Sequence, residues 1–490
     1  MPSAPESLTG APSHRALDAS GALPEAPRGG NLLSLAAVQA LRMGAGVAVN
    51  LMLLRALGVE GLGVHASLTA LVALAAFGAG LGIDRLLRRE IARDPASAGP
   101  RVAAGLAASA ALSVVTGTAI VAWVALVDGR REVVLAALFA AVALGLQTLA
   151  AVPVAYFHGV RAMGLGVPAS LAGRACLVVG TAIAAGLGLG VTAAFAAQAL
   201  DAAVTLAVTW GVFRRLGVRL PAPRPTEVRA LVRDALPFGL NVLFGGVYLG
   251  VDVLLLAWLR GDAEVGAYRA AGMLLALFPV LADTLTTGLF PRMARHLGRP
   301  DLAGAELRFA SRLLLAVSVP AAAGAVLTAE PLLVFLGGAP FAASAVPFAV
   351  LAPLLPLRFL NNGYGMTLSA LDRQDLRTRG VFLAALLNVL ANLVVLPRYG
   401  AVGAAATTLL TEAALLAWNR RAVAPLVTGL RLGDTLVRVG LPTAGMAATM
   451  LLLPPVHVLL AIAAGGVVYA GAALLTGAVR RDDLRHLRRV

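Results

Sequence analysis

Gly58-Val-Glu-Gly-Leu-Gly63-Val-His-Ala66 and Gly261-Asp-Ala-Glu-Val-Gly266-Ala-Tyr-Arg-Ala270 read as one pattern written twice. Each opens an apolar helix, and each helix closes on a basic Ala-Arg pair, Ala92-Arg93 in one copy and Ala294-Arg295 in the other. Farther out, Arg161 answers Arg373, and Leu200-Asp201-Ala-Ala answers Thr411-Glu412-Ala-Ala, all at an offset of about 200 to 212 residues. An even number of apolar spans separates the partners. The two copies therefore share one orientation and are related by an axis along the membrane normal.

The membrane itself follows from composition. Of 490 residues, 59% are apolar and only 13% charged, and the mean hydropathy is +0.85. A soluble globule of this size has no core large enough for that share of apolar side chains, so lipid must be the solvent for most of the chain. The net charge of +15 comes entirely from arginine, since the sequence holds no lysine. Those arginines lie in short clusters between apolar stretches and not along one solvated face. They read as topology signals, and nucleic acid is not an expected partner. The single cysteine, Cys176, sits inside an apolar run and forms no intramolecular disulfide.

From Asn31 onward, about fourteen apolar runs have the length a helix needs to cross the hydrocarbon. The expected spans are 32–54, 62–84, 102–127, 133–157, 165–187, 191–212, 235–259, 266–290, 308–336, 343–369, 377–396, 400–422, 435–453 and 456–478, with Pro454-Pro455 as the last tight turn. Every second break holds an arginine excess, from Arg85, Arg88, Arg89 and Arg93 through Arg214, Arg215 and Arg219 to Arg480, Arg481 and Arg485. The alternate breaks, such as Asp128-Gly-Arg-Arg-Glu132, are short and nearly neutral. Basic loops resist translocation, so both termini are expected on the cytoplasmic side. The expected fold class is an all-α polytopic membrane protein: two six-helix lobes in parallel pseudo-repeat plus a C-terminal helix pair. Its parts are a disordered cytoplasmic arm (1–30), an N-terminal lobe (31–212), a basic linker (213–234) with Pro221, Pro223 and Pro225 that lets the lobes rock, a C-terminal lobe (235–424), the extra pair (425–479) and a basic tail (480–490).

No phosphate-binding loop ending in Gly-Lys-Ser/Thr is possible without lysine, and no His, Cys or carboxylate cluster has metal-ligand spacing. Catalysis, a cofactor and a resident metal are not expected. What remains is a set of polar side chains inside the spans, each costing about 2.5–3.5 kcal/mol at a helix centre. Arg42 shares a face of the first span with Gln39, Gly46 and Asn50, and Arg358 shares a face of the tenth with Asn361, Asn362 and Gly365. Arg174 lies halfway through the fifth span and Arg269 near the outer end of the eighth. A guanidinium fork donates two parallel hydrogen bonds to a phosphate and keeps its charge in a low dielectric, while Asn and Gln amides suit sugar hydroxyls. The alternative is that these arginines pair with helix-borne acids as structural glue. Asp201 and Glu412 occupy equivalent places in the two halves and are candidates for proton or sodium coupling, or for hydrogen bonding between lobes. Asp252 and Asp283 are weaker candidates of the same kind. Gly246-Val-Tyr-Leu-Gly250 has the spacing of close helix packing.

Several motifs carry a resemblance. Arg55-Ala-Leu-Gly-Val-Glu-Gly-Leu-Gly63, Gly82-Ile-Asp84 and Arg89-Glu-Ile-Ala-Arg93 resemble the first two helices of bacterial polysaccharide biosynthesis flippases. Ala235-Leu-Pro-Phe-Gly239, Val251-Asp252, and Val265-Gly-Ala-Tyr268 resemble that family's seventh and eighth helices, and Asn388-Val-Leu-Ala-Asn392 through Pro397-Arg-Tyr-Gly400 its eleventh and twelfth. The resemblance runs from about residue 32 to 424. It is to the oligosaccharide-lipid flippase branch of the multidrug/oligosaccharidyl-lipid/polysaccharide exporter superfamily. It implies a V-shaped pair of lobes around an alternately accessible cavity in the bacterial inner membrane, carrying undecaprenyl-pyrophosphate-linked O-antigen or exopolysaccharide units, with a polymerase and chain-length proteins as partners. Two other functions stay open: a cation-coupled drug or metabolite exporter of the same fold, and a lipid II flippase or scaffold of a glycan-synthesis complex.

Overall fold

The computed structural model describes residues 31–478 apart from 277, 431, 455 and 456. The arm expected over 1–30, the tail expected over 480–490, and Pro455 of the last turn lie outside those residues. The described chain is helical throughout, with no strand. In order come α1 (Asn31–Gly80), α2 (Ile83–Arg93), α3 (Ala98–Val127), α4 (Arg131–Gly159), α5 (Val167–Gly186), α6 (Gly190–Arg215), α7 (Pro225–Arg260) and α8 (Asp262–Leu275). There follow α9 (Pro279–Ala294), α10 (Pro300–Leu327), α11 (Ala329–Gly337), α12 (Ala345–Leu351), α13 (Leu354–Ala370), α14 (Gln374–Val423), α15 (Gly433–Leu452) and α16 (Val458–Thr476).

Among the described residues nine helices are long and apolar enough to cross a membrane, or ten if the bent pair over 339–370 is one span. They do not correspond one to one with the fourteen expected spans. α1 and α14 each merge two helices across a glycine kink, at Gly58 and Gly400. The expected eighth span is broken between α8 and α9, and the expected ninth divides at Thr328 into α10 and the short α11.

The repeat is visible in the backbone. Gly58 has φ 64 and ψ −173, and its partner Gly261 has φ 85 and ψ −179, a region open only to glycine. A side chain at either place would forbid the turn that starts the next helix. Five residues later, Gly63 and Gly266 face one another, and a Cβ on either would run into the other helix's backbone, Asp262 O in one case and Val59 O in the other. In lipid there is no hydrophobic force between helices, so such small-residue crossings supply close packing instead.

Helices α3–α6 pack together with α1, while α9, α10, α13 and α14 form a second set, and α15 and α16 pair against α10. α7 joins the sets along the second part of α1: Gly239 lies against Leu81, Gly246 against Ala73 and Leu74, and Gly250 against Ala70. That register is antiparallel, and it gives the Gly246/Gly250 spacing its packing role.

The basic stretch 213–234 is seated and does not hang between the sets. Leu216, Val218, Leu220, Val228, Leu231 and Val232 pack against a cluster that includes Leu86, Leu87, Ile91 and Phe213. The far end of α7, around Leu256, belongs instead to a cluster with α8 and α14 residues such as Val265 and Ala404. α2 closes the basic end by burying Ile83, Leu86, Leu87 and Ile91 while Arg85, Arg89 and Arg93 stay exposed. At a wet membrane surface each such apolar side chain contributes about 1.5–3 kcal/mol.

Candidate functional site

α13 places Arg358 and Asn361 one turn apart, and both turn to the same acid on α14. Arg358 Nε donates to Glu412 Oε1 at 3.0 Å, with the arginine side chain 38% exposed and the glutamate 5%. Asn361 Nδ2 donates to Glu412 Oε2 at 2.8 Å and to the Glu412 carbonyl at 2.9 Å. Asn419 Nδ2 in turn donates to Asn361 Oδ1 at 3.1 Å. A buried carboxylate without partners would cost several kcal/mol. Here the Asn361 amide and the Arg358 cation both reach it. The headgroup arginine and the ion-coupling acid expected from the sequence thus fall on one ion pair, and Asn361 is committed inward to it. Asn362 points elsewhere: its Nδ2 donates to Asp283 Oδ1 at 2.5 Å and its Oδ1 accepts from Thr286 at 3.4 Å.

A second polar ladder runs inside α14. Asn392 Nδ2 donates to Asn388 Oδ1 at 2.9 Å, Thr407 Oγ1 to Asn392 Oδ1 at 2.5 Å, and Asn388 Nδ2 to Thr411 Oγ1 at 3.4 Å, all buried. Beside it Tyr268 OH of α8 donates to Asp252 Oδ2 of α7 at 2.6 Å and lies 3.1 Å from Thr408 Oγ1. In the sequence Asn388, Asn392 and Tyr268 stand only within the family-like motifs. The signal was there: two asparagines four apart on one apolar helix must meet partners.

In the first set, Asp201 is 8% exposed and accepts from Thr205 Oγ1 at 3.4 Å. Gly173 lets α5 close onto it, since a Cβ there would strike Thr205 and Asp201. Arg174 follows Gly173 on α5 and so lies beside the helix face that meets Asp201. Arg42 is exposed, Arg174 and Asn50 are half-buried, and the side chain of Gln39 lies outside the described residues. Between the sets, Arg269 is half-buried and its Nε has no hydrogen-bond partner. His65, which the sequence reading passed over, is 5% exposed and stacks on Phe195 with ring centroids 4.9 Å apart.

Two features frame these residues. Near the Gly63–Gly266 crossing, Arg130 reaches Asp128 at 2.7 Å within its own turn and Asp262 of α8 at 2.6 Å. The Arg130 hydrogen bond holds the Asp128 carboxyl below its usual range against the opposing effect of partial burial. Arg130 itself is pushed up by the same two acids, Asp128 first. On another face, an apolar groove of about 520 Å³ is lined by Val47 and Leu51 of α1, Leu274 of α8, Pro320 of α10, Met446 of α15 and Tyr469 of α16.

The family model described as "Polysaccharide biosynthesis protein" matches residues 29–297, and one described as MatE matches 237–394. The chain is 22% identical over 364 residues, 73% of its own length and 75% of the relative's, to a "Probable low-salt glycan biosynthesis flippase Agl15" of Haloferax volcanii. Among solved structures it superposes on "Lipid II flippase MurJ, inward closed conformation" with a TM-score of 0.76 at 11% identity, covering 90% of this chain and 98% of that one. It also superposes on an inward-facing multidrug resistance MATE family transporter with a TM-score of 0.59 at 17% identity, covering 79% and 95%. These two likenesses show the fold.

Proposed function

Because the chain belongs to the polysaccharide biosynthesis protein family, we propose that this multi-pass membrane transporter flips a lipid-linked oligosaccharide, carried on undecaprenyl pyrophosphate, across the bacterial inner membrane. It is a transporter and not an enzyme, and its relative Agl15 carries the name of a glycan biosynthesis flippase. The observation that carries the substrate class is the set of arginines kept partly exposed within the spans: Arg42 and Arg174 from the first set, Arg358 from the second and Arg269 between them. Facing lipid, each would cost about 2.5–3.5 kcal/mol. Facing a shared aqueous space they suit a bulky anion, with Asn50 and the Asn362 edge beside them for sugar hydroxyls.

In this reading residues 31–212 and 235–424 act as two lobes, with 425–479 as an added pair, and both termini lie in the cytoplasm. The groove between α1, α8 and the added pair suits the isoprenoid tail while the headgroup sits among the arginines. The lobes swing on α7, whose first turns hold one set and whose last turns hold the other. Export of glycan in cells that lack their own flippase tests this. Arg42→Ala and Arg269→Ala should each reduce export at least tenfold with protein levels unchanged; wild-type export from both rejects the arginine site.

A second reading is favoured by one observation. The ladder of Asn388, Asn392, Thr407 and Thr411 lies buried beside the acid Asp252, and a titratable group in such a polar setting suits gradient-coupled export. Asp201→Asn with Glu412→Gln tests the other acids: if transport keeps its dependence on the proton or sodium gradient, Asp201 and Glu412 are structural. Flipping of lipid II in place of a longer glycan lipid is a third outcome that substrate competition would reveal. A polymerase and chain-length proteins would be pathway partners.

A further inference from the structure

Two buried donors meet no acceptor where the two sets of helices cross. His65 lies two residues beyond Gly63 on α1, and Arg269 three beyond Gly266 on α8, the glycines whose backbones touch. Gln198 Nε2 sits 3.0 Å from His65 Nε2. An amide nitrogen only donates, so the ring nitrogen accepts and the imidazole carries its proton on Nδ1. Neither that Nδ1 nor Arg269 Nε has a hydrogen-bond partner. Phe195 covers the ring face, which holds the imidazole in place. Both residues lie within one turn of the place where the two backbones meet, which puts the two donors at one helix crossing. Asp252 of α7 accepts from Tyr268 OH and from the Val253 backbone N–H, and not from Arg269 Nε.

A buried donor left unpaired costs about 1–3 kcal/mol, and native proteins keep such groups where a ligand supplies the acceptor. We propose that His65 Nδ1–H and Arg269 Nε–H form a split site, one donor from α1 and one from α8, for a phosphoryl oxygen of a polyprenyl diphosphate. This rests on the flippase reading and adds a residue to it. A sugar hydroxyl fits less well, because its own proton would need an acceptor and both groups here donate. A phosphoryl oxygen accepts from both and bridges the crossing.

Full-length protein in nanodiscs, titrated with farnesyl diphosphate, farnesyl monophosphate and inorganic pyrophosphate, tests this. His65→Phe keeps the stacking on Phe195 and removes the donor. It should weaken farnesyl diphosphate binding about tenfold, the effect of one charge-assisted hydrogen bond, while ligand-free melting stays level or rises. His65→Asn, whose amide reaches the Nδ1 position, should restore binding to within about threefold, and His65→Gln, which mimics Nε2, should not. Unchanged binding in His65→Phe with binding lost in Arg269→Ala removes His65 from the site and leaves the flippase reading intact. A fall in ligand-free melting that matches the lost affinity makes His65 structural and overturns the proposal. Inorganic pyrophosphate binding as tightly as farnesyl diphosphate would make this a free-anion site and overturn the lipid assignment. If the wild type binds no farnesyl diphosphate, the flippase reading falls as well.

Discussion

Arg358 sits at the boundary between glue and grip. Its Nε is held by Glu412 at 3.0 Å while its side chain stays 38% exposed, so pairing and exposure occur in one residue. Breaking a fully buried pair costs about 3–5 kcal/mol, and the exposure of Arg358 reduces that to about 1–3 kcal/mol. Glu412→Gln and Arg358→Met should each lower the melting temperature, and the double variant should recover part of the loss; additive losses in the melting curves would mean that the two residues act separately. Asn392→Leu is a sharper case. It strands the buried Asn388 Oδ1 and leaves Thr407 Oγ1 only its bond to the Ala404 carbonyl, and should cost about 1–3 kcal/mol in detergent melting. The sequence made these positions visible as polar residues in apolar helices. It did not tell which of them pair with each other, because Arg358 and Glu412 are 54 residues apart and only packing brings α13 onto α14.

At the scale of elements, the repeat was legible in the glycines. Gly58 and Gly261 share a backbone conformation that no other residue adopts without strain, and Gly63 and Gly266 touch. Gly63→Val puts a Cβ into the Asp262 carbonyl, and overpacking of that kind costs about 1–3 kcal/mol. The population with the crossing closed should fall about tenfold, read as faster labelling of a cysteine placed at Ser67. The same rate as wild type would show that the crossing yields without cost. Span boundaries were less legible. Hydropathy is continuous through 266–290 and 308–336, so it could not reveal the breaks at residues 276–278 and 328, which depend on Pro279 at the start of α9 and on the turn before α11. In the stretch 213–234 the arginines and prolines mark a linker, while Leu216, Val218 and Leu220, spaced among them, anchor it.

For the whole molecule, an ion pair ties the turn between α3 and α4 to the start of α8. Arg130→Cys with Asp262→Cys should form a disulfide under mild oxidation and halt export, with a reductant restoring it; export that continues in the cross-linked protein would place the moving parts elsewhere. The Asp128–Arg130 pair within that turn should also be indifferent to pH over the working range. Asp128 has its carboxyl lowered by Arg130, so its contribution is present above the ordinary carboxylate value and is lost only as pH falls through the lowered one. Labelling at this end should be the same at about pH 5 and about pH 8. The consequence of Arg130 serving two acids is mechanical. When Asp262 swings away with α8, the guanidinium still has Asp128 beside it, so unlatching strands no cation and needs only the small work of parting one solvated couple. A catch built this way can be released by a modest push from a bound cargo and will re-engage unaided once the cargo leaves.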